Sequence, residues 1–126
     1  MKKLVLLTLS ATFAMAVVLV CETDTANAIP PIKKAFDAKC VKPDTPLAAA
    51  VKVAKCNVCH INKKPKKMRN AYGMALSKYV TKKDGKDLDK INAALDKVAA
   101  MNSKEGDKDS PTFGDLIKSG KLPATE

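Results

Sequence analysis

The sequence contains one histidine, no tryptophan, two tyrosines and three phenylalanines, and its five glycines stand apart from one another. Isolated glycines leave no phosphate-cradling loop and no dinucleotide fingerprint. With His60 the only histidine, the chain lacks the parts for bis-histidine ligation. Once that imidazole is committed to the motif described below, none remains for Ser-His-Asp or two-His metal catalysis. No run of alternating β-branched residues suggests a strand, so the expected class is all-α. The nearby carboxylates Asp87 and Asp89 read as charges at a favourable helix start rather than as an acid/base pair.

The chain does have an address. Met1-Lys2-Lys3 supplies a positive start, Leu4 to Val20 an apolar run of 17 residues, and Ala26-Asn27-Ala28 a small-residue cleavage site before Ile29. This pattern is a secretory signal peptide over residues 1–28, which places the mature protein in the periplasm or outside the cell. The run is also at the lower limit for a membrane-spanning helix, so a retained anchor is the alternative. Cys21 follows Val20, where a lipoprotein signal carries a small residue, and is therefore assigned to the discarded peptide.

Residues 29–126 then form one domain of 98 residues, a size at which extra fixation helps folding. Its aromatics are Phe36, Tyr72, Tyr79 and Phe113, little bulk for a core built from side chains alone. The leader takes two lysines and two acids, so the net charge stays at +10. That balance favours acidic partners and suits contact with a membrane surface. Export and the absence of aromatics interleaved with the lysines argue against nucleic acid. Oligomeric state is not written in the pattern.

Short helices separated by Pro, Gly and Lys punctuation make up the domain. Ile32, Phe36 and Cys40 share one face of a first helix that Lys42-Pro43 ends. Thr45 caps a second, with Pro46 at its first position and a Leu47, Val51, Ala54 stripe. Asn70 caps a third carrying Tyr72, Leu76, Tyr79 and Val80, closed by Asp84-Gly85. From Asp87 to about Met101 the positions Leu88, Ile91, Leu95 and Val98 predict the clearest amphipathic helix. After a polar linker, Ser110-Pro111 starts a closing helix with Phe113, Leu116 and Ile117, and Gly120 ends it.

The second helix leads directly into Cys56-Asn57-Val58-Cys59-His60. Two thiols three residues apart can reach the two vinyl groups of one haem, and the next residue's imidazole can then turn to the iron. In an exported chain this motif points to covalent haem through Cys56 and Cys59 with His60 as proximal ligand. One rival is a disulfide or redox pair, which lacks the βαβ context of thioredoxin-like proteins. Another is a zinc-stabilised exported interaction domain using Cys40, Cys56, Cys59 and His60, hampered by the adjacency of the last two. Cys40, on the first helix's apolar face, reads as a small buried apolar residue.

On these residues the chain resembles the small exported c-type cytochromes. Asn70-Ala71-Tyr72-Gly73, shortly after the motif, is similar to a pattern in some little-characterised members of that group. The resemblance implies a helical domain wrapped around one haem c, serving one-electron transfer rather than enzymatic turnover. The class I plan adds a distal Met from a later loop and a closing helix against the first. This chain lacks a Pro-flanked Met loop, so the sixth ligand stays open among Met101, Met74 and Met68, with Met101 in the place that plan favours. An open sixth position that binds a small gas or peroxide is the alternative. Lys63, Lys64, Lys66, Lys67 and Arg69, next in sequence to the motif, are expected either to dock an acidic redox partner or simply to face water.

Overall fold

A computed structural model describes residues 31–124. The expected leader, its cleavage site and Cys21 lie outside the described residues. Among those described, every regular element is helical and there is no strand, and the helices follow the sequence punctuation closely. They are α1 (Pro31–Cys40), α2 (Pro46–Ala54), α3 (Ala71–Ser77), α4 (Leu88–Ala99) and α5 (Phe113–Lys118). Two 3₁₀ turns, Lys55–Val58 and Lys82–Asp84, complete the order. None of these helices is long and apolar enough to cross a membrane.

Caps set most of the boundaries. Thr45 Oγ1 accepts the Ala48 N–H at 3.2 Å, and Pro46 occupies the first helical position, where its missing N–H is no loss. Asp87 accepts the Lys90 N–H at 2.9 Å. Thr112 and Asp115 exchange reciprocal bonds in a capping box. The closing helix is therefore capped by Thr112 and starts at Phe113 rather than at Ser110-Pro111. Ser103 N–H bonds to the Pro111 carbonyl at 2.9 Å and holds that dipeptide in the linker instead.

Helix α3 is shorter than the apolar periodicity predicts. It ends at Ser77, where the Lys78 and Tyr79 N–H groups bond three residues back to the Ala75 and Leu76 carbonyls, and Thr81, giving its N–H to the Asp84 carboxylate at 2.8 Å, starts a separate 3₁₀ turn. Val80 is still buried, but Tyr79 is left at the surface with Lys97 Nζ 5.4 Å from its ring centre. Leu88 also departs from expectation: it is 59% exposed, while Ile91, Ala94, Leu95 and Val98 form the buried face of α4.

Helix α4 is the centre of the packing, against α1, α3 and α5. Gly114 permits the last of these contacts, since a Cβ there would lie 2.8 Å from the Ala99 carbonyl oxygen. A Lys39–Asp96 ion pair at 2.7 Å joins α1 to α4 at the surface.

Most of the few aromatic side chains expected from composition are gathered at one point of the core. Tyr72 packs edge-on against Phe36 at 5.7 Å and against Phe113 at 5.2 Å between ring centres, so one aromatic file joins α3 to α1 and α5. Each such pair contributes about 0.5–1.5 kcal/mol beyond its buried area. Val58, from the turn bearing the motif, is buried in the same cluster, with Cys59 packed against it. Three of the domain's four aromatics thus converge.

Candidate functional site

The motif enters on a bend. Lys55 takes φ +51°, a value few non-glycine residues adopt, while its N–H still bonds to the Val51 carbonyl. The chain then tightens into the 3₁₀ turn, where the Cys56 carbonyl accepts both the Cys59 and His60 N–H groups at 3.2 and 3.1 Å. This turn separates the two thiols by environment. Cys56 is exposed and Cys59 is half-buried, and neither forms a disulfide. Burial pushes the Cys59 thiol up to about 12, so it is a neutral thiol at neutral pH.

Residues 61–69 leave the turn and come straight back to it. His60 and Arg69 form an isolated antiparallel bridge, and the Ile61 N–H bonds to the Met68 carbonyl at 3.3 Å. The basic run is thus tethered at both ends beside the motif. Lys63, Lys64, Lys66, Lys67 and Arg69 are all exposed, and none makes an ion pair among the described residues.

The next residue does what sequence reasoning missed. Asn70 caps α3 as expected, accepting the Gly73 N–H at 2.9 Å. Its amide nitrogen also donates to the carbonyls of Asn57 and Val58, each at 3.1 Å, and its backbone N–H bonds to the Cys59 carbonyl at 3.1 Å. One buried side chain thereby ties the two residues between the cysteines to the start of α3. Gly73 completes the seam by bringing its backbone directly onto the Cys59 carbonyl. A polar residue at the head of an amphipathic helix announces a cap; nothing in its spacing announces bonds to carbonyls a dozen residues earlier.

Two buried polar atoms near this seam have no hydrogen-bond partner: His60 Nδ1 and the Tyr72 hydroxyl. Interiors rarely leave such groups unpaired. Two free thiols and a partly buried imidazole with an unpaired nitrogen form a donor set that fits a haem.

The methionines are spread around the site. Met68 and Met74 flank the clamp in sequence and are both exposed, whereas Met101 is half-buried against the core at the end of α4, its carbonyl accepting the Phe113 N–H. Cys40 is half-buried on α1, with burial raising its thiol pKa. Among the described residues no three His, Cys, Asp or Glu side chains gather as a metal site. A cavity of about 420 Å³ is lined by Cys40, Leu47 and Ile117 together with Lys39, Lys42 and Lys118, and includes no residue of the motif.

Comparison with protein-family models, curated proteins and solved structures finds no match to this chain.

Proposed function

We propose that this protein is an exported one-electron carrier with one haem c held through Cys56 and Cys59 and with His60 as the proximal ligand. The observation that carries the reading is the Cys56-Asn57-Val58-Cys59-His60 turn, with both thiols free and an unpaired buried imidazole nitrogen beside them. A disulfide reading loses force with the cysteines unbonded, and a zinc reading has no cluster of three donors among the described residues to support it. Bound haem supplies a metal that cycles between ferric and ferrous states.

The chain's own residues have the remaining tasks. Cys56 and Cys59 would hold the haem by thioether bonds, each S–H adding across one vinyl double bond with no net redox change. His60 would supply an imidazole nitrogen to the iron. The exposed basic loop gives the site a positive rim that attracts an acidic partner.

The sixth ligand separates electron transfer from gas or peroxide binding. The open-site reading is favoured by one observation: Met101, the place a class I plan prefers, is packed against the side-chain core. Carbon monoxide added to the reduced, natively folded protein tests the choice. An unchanged spectrum with a reversible one-electron titration supports the carrier, and rapid carbon monoxide binding supports the open site.

A further inference from the structure

The Asn70 amide is placed to do more than cap a helix. Its oxygen alone would satisfy the Gly73 N–H, as Asp or Ser would at the same position. Its nitrogen is spent on the Asn57 and Val58 carbonyls, the two residues that set the span from Cys56 to Cys59. The Asn70 N–H bonds to the Cys59 carbonyl, and the Gly73 backbone lies against that same carbonyl. Cys59 is held into the cluster by this seam while Cys56 stays outside it.

We propose that Asn70 is a positioning residue for haem attachment: through its side-chain N–H donors it sets the Cys56–Cys59 turn and shelters Cys59, so that the two thiols are inequivalent before haem is bound. This rests on the haem reading for its purpose, but the clamp itself is a property of the chain. The donor is the part that matters, and the acceptor only starts α3.

The test compares Asn70→Asp and Asn70→Ser, which both keep a cap for α3 and both lose the donors. The full chain, produced without haem, is alkylated with a neutral thiol reagent, and the rate at each cysteine is read by peptide mass. Cys40, remote in sequence from the clamp, serves as the internal reference. In the unmutated chain Cys56 should react about tenfold faster than Cys59, and in both variants the Cys59 rate should rise by about the same factor while Cys40 holds steady. Co-expressed with haem-attachment machinery, both variants should carry covalent haem on a smaller fraction of chains. An unchanged Cys59 rate overturns the proposal, and so does a parallel rise at Cys40, which would mark general loosening. Should the unmutated chain take up no haem, the haem reading fails while the labelling still decides the clamp.

Discussion

Gly73 lies so close to Cys59 that a Cβ on the glycine would sit 2.0 Å from the Cys59 carbonyl oxygen. The obstacle is backbone, held in place by the Asn70 N–H, so it cannot swing aside as a side-chain tip could. Gly73→Ala should therefore destabilise the chain by about 3 kcal/mol, despite the gain of up to about 1 kcal/mol that Ala brings to a helix. Chemical denaturation measures this directly, and a neutral or stabilising result would mean that α3 and the motif are not in contact.

The Tyr72 hydroxyl is buried without a partner, while its ring is fixed between Phe36 and Phe113. Tyr72→Phe keeps the aromatic file and removes the unpaired group, so the haem-free chain should gain about 1 kcal/mol. A loss of stability in the same denaturation experiment would show that the hydroxyl has a partner in the folded chain.

Asp84 gives a pH signature. The Lys90 ammonium bonds to its carboxylate first of all, with Thr81 adding further bonds, and together they lower its pKa to about 2. A carboxylate depressed by folding stabilises in full above its unfolded pKa of about 3.9, and that contribution is lost as pH falls through the folded value. Asp84→Asn should thus be less stable than the parent at neutral pH and converge with it as the pH approaches 2. A gap between the two melting curves that does not change over that range would remove the linkage.

The tethered basic loop predicts a local electrostatic effect on electron transfer. Oxidation of the reduced protein by hexacyanoferrate(III), an anionic probe, should slow as salt is added. Lys66→Glu with Lys67→Glu should slow it several-fold more at low salt than Lys104→Glu with Lys108→Glu, an equal charge change in the linker before α5. Equal slowing by the two pairs would reduce the loop to a share of the net charge.

The helices were legible because caps and stops are local. Thr45-Pro46, Asn70, Asp87 and Gly120 act on their own few residues, and each is found where its chemistry predicts. Misreadings arose where a longer-range partner intervened. Tyr79 fits the periodicity of α3, but the helix ends at Ser77 and the ring lies at the surface beside Lys97 of α4. Phe36, Tyr72 and Phe113 are far apart in sequence, so their convergence into one file cannot be counted from composition. At the site the motif itself is readable, whereas the Asn70 bonds to Asn57 and Val58 depend on a loop returning to its own start.

Covalent attachment is the central claim, and the most direct measurement is haem-dependent peroxidase staining of the exported chain on a denaturing gel, beside the Cys56→Ala, Cys59→Ala double variant. Thioether bonds survive denaturation, so the account predicts stain at the position of the unmutated chain and none for the variant. An unstained chain from a host with working haem-attachment machinery, or stain that persists in the variant, would contradict it.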